Sequence, residues 1–178
     1  MTTFKKKFER DLSQGKYYEK KAVDLFDYDD CYQSPGYCKE YDFWFEKDNK
    51  RTYIEVKSER YASITSNLAI EFEYKGKPSG INITKADFYV YYILHTGNGT
   101  VRGDIKKEEC YIIPTDVLKD IASKCRIAQG GDGYNSKMYL VHKALLKKYL
   151  HHIETIDNVD DICDKMADTK ISVVDNNP

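Results

Sequence analysis

Two β-prone runs, residues 37–46 and 51–58, flank the polar turn Lys47-Asp48-Asn49-Lys50, and no other feature constrains the fold of this chain as tightly. Turn formers between runs rich in aromatic and β-branched residues predict a hairpin. Side chains alternate along a strand, so Ile54 and Val56 face one way in the second run and Glu55 and Lys57 the other. That contrast fixes the register, because a slip by one residue would turn the apolar pair into water. With the two runs paired about the turn, Asp42 lies near Glu55 across the ladder. Two carboxylates and an ammonium then converge on one face.

The segments around the hairpin predict its setting. Residues 4–26 read as a helix. Glu19 precedes Ala22, Val23 and Phe26 by three, four and seven positions, which places it on the apolar face. An acid there calls for a partner or a metal. Gly15 is expected to weaken this helix and divide it. Residues 27–36 form a loop ending in Ser34-Pro35-Gly36. Beyond the hairpin, residues 68–74 alternate and predict a third strand, broken by Lys75-Gly76-Lys77-Pro78-Ser79-Gly80. A short helical piece is expected at 84–86, and the aromatic run 87–95 predicts a buried fourth strand. A strand at 110–114 ends at proline, and Thr115 or Asp116 caps a helix to Lys124. A second strand-then-helix unit follows at 138–141 and 143–152. The Gly130-Gly131-Asp132-Gly133 loop between the units lacks the context of a phosphate-binding fingerprint. This order predicts an α/β domain over residues 1–156, a mixed central β-sheet flanked by helices. Residues 157–178 are expected to form an acidic, partly disordered tail.

The chain of 178 residues suits one domain. No apolar run is long enough to span a bilayer, and Met1-Thr2-Thr3-Phe4-Lys5-Lys6-Lys7 lacks the apolar centre of a secretory signal. A cytoplasmic protein without a membrane partner is expected. Cys31, Cys38, Cys110, Cys125 and Cys163 form no CxxC pair and read as reduced thiols in or near the core. The net charge is −1; with seven acids and two lysines from His151 onward, residues 1–150 hold 26 basic and 22 acidic side chains, a net of +4. A moderate basic groove is compatible with that balance; a strongly electrostatic, sequence-blind binder is not.

Asp42, Glu55 and Lys57 suit phosphodiester hydrolysis. Hard oxygen ligands on neighbouring strands hold Mg²⁺, the carbonyl of Val56 adding a further donor. The metal activates a water for attack on phosphorus, and Lys57 orients that water or stabilises the developing charge. Tyr41-Asp42 followed by Glu55-Val56-Lys57, with Glu19 on the preceding helix, resembles the PD-(D/E)XK nuclease superfamily over roughly residues 8–95. Tyr41 stands where that motif has proline. The resemblance implies a restriction-endonuclease-like core and Mg²⁺- or Mn²⁺-dependent cleavage of DNA by Asp42, Glu55 and Lys57, with Glu19 as a further metal ligand. The spacing is most similar to the Holliday-junction resolvase branch found in archaea and phages, although that branch is usually strongly basic and this chain is not. By analogy with nucleases of this size, a homodimer is expected.

Lys16, Thr84, Lys85 and Lys75 are the candidate DNA contacts. Glu71 and Glu73 are expected on a solvent-facing side, with Glu71 in reach of the site's surroundings. His151, His152 and Glu154 are set aside as metal ligands, because adjacent histidines on a helix point apart. The alternative to a nuclease is a non-catalytic nucleic-acid or protein-binding module on the same fold. Exonuclease and restriction-like endonuclease action are variants within the nuclease class.

Overall fold

The computed structural model describes residues 3–34, 38–101 and 103–156. It opens with α1 (Thr3–Val23). Gln14, Tyr18 and Ala22 form its buried stripe, at a spacing of four residues. The helix runs unbroken through Gly15, contrary to the expected division. One interior glycine costs about 1 kcal/mol, whereas burying a single large apolar side chain contributes roughly 1.5–3 kcal/mol. Lys20 and Lys21 in the last turn suit the negative end of the helix dipole.

The segment expected to be loop contains a short strand, β1 (Asp30–Gln33), paired antiparallel with β2 (Phe43–Lys47). β2 pairs in turn with β3 (Lys50–Glu59). Asp48 and Asn49 join them with φ of 51° and 60°. Two successive left-handed residues make the tight turn whose twist matches that of the flanking strands. β2 begins at Phe43, so Asp42 stands just before it; Pro35, Gly36 and Tyr37, read as turn and strand start, lie outside the described residues.

α2 (Tyr61–Thr65), β4 (Asn67–Tyr74), β5 (Lys77–Pro78) and a 3-10 turn at Gly80–Asn82 lead to β6 (Phe88–Thr96), which lies parallel to β3. The helical turn thus precedes the expected position at 84–86. β7 (Ile105–Pro114) returns antiparallel and extends well before residue 110, because Glu108 and Glu109 are buried within it. In α3 (Thr115–Ser123) neither Thr115 nor Asp116 is the cap; Pro114 occupies that position, and Asp116 accepts instead from the N–H of Val117.

β8 (Arg126–Gly130) and β9 (Ser136–His142) form a hairpin around the glycine-rich loop. The expected helix at 143–152 is instead a 3-10 segment, Lys143–Tyr149, followed by β10 (Leu150–Thr155). Hydrogen bonds from Lys143 hold its backbone to Ser66 and its side chain to Glu109, and the open edge of β7 takes the following residues as a strand.

The central sheet is mixed, with order β1-β2-β3-β6-β7-β10, and the fold is α/β. A second, antiparallel sheet has order β5-β4-β9-β8. Residues 68–74 and 138–141, expected in the central sheet, belong to this second one. α1 covers one face of the central sheet through Tyr18 and Ala22 against Phe43, Ile54, Val90 and Tyr92. The other face, through Tyr89, Tyr91 and Ile93, packs against Leu68, Ile70 and Val141 of the second sheet and against Leu118 of α3. The central sheet is therefore flanked by α1 on one side and by the second sheet together with α3 on the other. Cys110 is buried and Cys31, Cys38 and Cys125 are half-buried, all four free thiols; Cys163 and the acidic tail lie outside the described residues. No helix among the described residues is long and apolar enough to cross a membrane.

Candidate active site

β2 is shorter than β3, and that difference makes the site. The register Phe43↔Ile54 places Asp42 opposite Glu55, one step past the end of the ladder. The N–H of Asp42 donates to the carbonyl of Ile54 at 2.8 Å, and the N–H of Val56 donates to Asp42 Oδ2 at 2.7 Å. The Asp42 carboxylate thus substitutes for a missing strand, with its second oxygen outside that bond. In a strand the N–H and C=O of one residue point to the same edge. The carbonyl of Val56 is therefore directed to the edge where Asp42 sits and β2 has ended.

Glu55 and Lys57 share the face opposite Ile54 and Val56, as their alternation predicts. The two form a close ion pair, with Glu55 only 8 % exposed and Lys57 about half exposed. Burial pushes the Glu55 carboxyl up; Lys57 offsets part of that shift, while Asp42 and Glu19 add to it. Partial burial works to lower the Lys57 ammonium, but Glu55, Asp42 and Glu19 outweigh it and hold the group above the usual lysine range. Lys57 is therefore a cation at neutral pH, suited to donating hydrogen bonds and stabilising negative charge.

These groups open into a cleft of about 670 Å³ between α1, the free edge of β3 and the second sheet. Its walls carry Glu19, Asp42, Glu55, Glu59 and Glu71, with Lys16, Lys39 and Lys57 among them. Carboxylates outnumber ammoniums, and their hard oxygens are the donor type that Mg²⁺ or Mn²⁺ takes, although among the described residues no three of these carboxylates bring their oxygens within 4.8 Å of one another.

The remaining sequence candidates fall in three places. Lys16 and Glu19 both line the cleft and pair with each other at 2.6 Å. Lys85 is exposed and outside the cleft lining, paired with Glu40 at 2.8 Å. Thr84 is buried; its hydroxyl donates to the Glu40 carbonyl and accepts from the N–H of Ala86, so it braces the loop before β6 and does not face solvent. Lys75 sits at the β4–β5 turn, away from the cleft lining, its ammonium 5.3 Å from the Tyr74 ring. Glu71 does not face open solvent: it lines the cleft and accepts from the hydroxyls of Ser79 and Ser136.

Two acidic groups escaped the sequence reading. Glu59 lies at the inner end of the cleft, where burial pushes its carboxyl up to about 7 against the opposing pull of Tyr91 and Ala69. One of its oxygens is buried without a hydrogen-bond partner. The β3 alternation beyond Lys57 was the signal for it. The second group is Glu108, His152 and Glu154, whose ligand atoms lie within 4.8 Å of one another. His152 and Glu154 meet on one face because β10 is a strand, not the helix on which they were set aside. Lys21 donates to both Glu108 and Glu154, so an ammonium already bridges the two carboxylates.

Compared with protein-family models, curated proteins and solved structures, the chain matches none.

Proposed function

We propose that this chain is a metal-dependent DNA nuclease that hydrolyses phosphodiester bonds in the cleft at the free edge of β3. The observation that carries the reading is the meeting of Asp42, Glu55 and Lys57 across the β2–β3 register, at the point where β2 stops. A structural hairpin has no need of two carboxylates and a lysine at one uncovered edge. Asp42 and Glu55 would hold Mg²⁺ or Mn²⁺, with the Val56 carbonyl as a further donor and Glu19 approaching from α1. The ion, when bound, supplies the charge that acidifies water and neutralises the scissile phosphate.

The chain's own residues do the rest. Asp42 is fixed by the Val56 N–H, so it presents its other oxygen in a set direction. Glu55 is oriented by Lys57. Lys57 would turn its ammonium to the attacking water or to a phosphate oxygen, where it would stabilise charge that builds up in the transition state. In this role Lys57 acts as a hydrogen-bond donor and a positive charge.

Cleavage of labelled single-stranded, duplex, flapped and four-way-junction DNA tests the reading, with Mg²⁺, Mn²⁺ or EDTA present. Wild type is expected to cut in either metal and not in EDTA. Lys57→Ala and Glu55→Gln should each lower the rate by roughly 100-fold or more, with an unchanged circular-dichroism spectrum. A Lys57→Ala protein that cuts at the wild-type rate would remove the catalytic role. Binding without cutting on every substrate would favour the non-catalytic module. The junction substrate decides whether the similarity to resolvases extends to branched DNA, and sedimentation of the free protein decides whether it works as a homodimer.

A further inference from the structure

The face that carries Glu55 and Lys57 does not end at the cleft. Following it outward through the register, Tyr53 lies opposite Trp44, and Trp44 opposite Tyr32. Three aromatic rings on three adjacent strands thus stand in one row across the sheet. Tyr32 and Trp44 stack with ring centres 5.9 Å apart and planes 23° apart. The Arg51 guanidinium lies 3.9 Å from the centre of the Trp44 ring. Tyr41, next to Asp42, contacts Tyr53 at 4.8 Å. The row therefore runs from the β1 edge of the sheet to the residue that begins the candidate site.

Among the described residues this face is only partly covered: Tyr41, Trp44 and Tyr53 are half-buried and Tyr32 is exposed. The opposite face of the same strands is packed, with Phe43, Phe45 and Cys31 against Phe26. Tyr32, Trp44, Tyr41 and Tyr53 belong to neither core cluster among the described residues, and Tyr32 is 46 % exposed. Among the described residues, the second sheet packs on the part of the face formed by β6 and β7 and borders the cleft beside the end of β3.

We infer that the Tyr32–Trp44–Tyr53 row is a stacking platform for the unpaired bases of single-stranded DNA, feeding the strand toward Asp42, Glu55 and Lys57. The inference rests on the nuclease reading and adds the substrate form. Stacking suits this surface better than duplex binding for two reasons. Rings on a flat sheet face need exposed base faces, which a duplex hides inside its own stack. Free positive charge is also scarce here, since Arg51 is offset by Glu46 at 3.4 Å and Lys85 by Glu40, so ring stacking is left to supply the grip. Aromatic stacking with a flanking guanidinium holds single strands with little regard to sequence.

Trp44 is the chain's only tryptophan, so its fluorescence reports on this surface alone. Full-length protein in EDTA would be titrated with a thymidine 12-mer and with a duplex of the same length. The single strand is expected to quench Trp44 and the duplex to leave it bright at the same concentration. Tyr32→Ala, at an exposed position, should weaken single-strand affinity by roughly tenfold, measured by anisotropy of a labelled oligonucleotide; Trp44→Ala should do the same or more. Glu55→Gln should quench as wild type does, which separates the platform from the chemistry. Equal quenching by duplex, no quenching by any oligonucleotide, or unchanged affinity in Tyr32→Ala would overturn the platform even where metal-dependent cutting stands. Quenching by single strands in a protein that never cuts would keep the platform and remove the nuclease.

Discussion

At the scale of single residues, Asp42 has two separable tasks. Its carboxylate accepts the Val56 N–H, closing the end of the β2–β3 ladder, and its charge adds to that of Glu55. Asp42→Ala leaves a backbone donor unmet, at a cost of about 1–3 kcal/mol. Asp42→Asn keeps an acceptor and removes only the charge. Urea unfolding in EDTA should therefore find the asparagine variant close to wild type and the alanine variant less stable, while neither cuts DNA. Glu59 offers a pH test. Its carboxyl is raised from 4.5 to about 7 in the folded chain. Between those values the unfolded chain releases the proton and the folded chain keeps it, so stability falls as pH rises through the window. The loss is bounded at about 3 kcal/mol. Glu59→Gln should flatten the dependence between pH 5 and 7 and be the more stable protein at pH 8. An unchanged slope in that variant would place the titration elsewhere. The Asp42–Glu55 meeting was legible because hairpin pairing is a local rule. The Lys16–Glu19 contact was within reach of helix spacing. The tie of Thr84 to Glu40, 44 residues away, had no local signal.

At the scale of elements, strands whose two faces differ in chemistry were read well, and segments with mixed patterns were not. β3, with apolar residues against charged ones, and β6, nearly all apolar, fall close to their expected bounds. β1 has four mostly exposed residues and exists because β2 supplies a partner edge. Residues 150–152, the start of β10, were read as the end of a helix begun at 143, whereas the open edge of β7 takes residues 150–155 as a strand. The same misreading hid the Glu108, His152 and Glu154 group. The 3-10 turn before β6 lies tight against β4 at Gly80, which holds φ of 49° while an added Cβ would stand 2.3 Å from the Glu71 carbonyl oxygen. Backbone there cannot retreat without moving β4. Gly80→Ala should therefore destabilise by several kcal/mol, since left-handed strain and a backbone clash add. Gly15→Ala, where nothing lies within 4 Å, should stabilise α1 by up to about 1 kcal/mol. Thermal melts of the two variants should move in opposite directions; two shifts of one sign would mean that local helix propensity and loop geometry are not what set these positions.

At the scale of the whole molecule, the two carboxylate groups make different claims on a metal, and linkage distinguishes them. In the cleft, Glu19, Asp42, Glu55, Glu59 and Glu71 face three lysines. Behind α1, Glu108 and Glu154 share Lys21, and His152 is a further 3.9 Å from Glu108. A cation entering the second group must displace a bridging ammonium from a buried carboxylate, whereas the cleft offers an uncovered edge. For a site with millimolar affinity, 10 mM Mg²⁺ adds about 1.4 kcal/mol to folding stability. In a domain of this size that is roughly 3–6 °C in melting temperature. Wild type should show that shift, and Asp42→Asn should lose it. His152→Ala should keep it, because the histidine belongs to the group that Lys21 already neutralises. A shift retained in Asp42→Asn and lost in His152→Ala would move the metal to the far side of α1. The cation would then sit apart from Asp42, Glu55 and Lys57, and the proposed chemistry of the cleft would lose its metal.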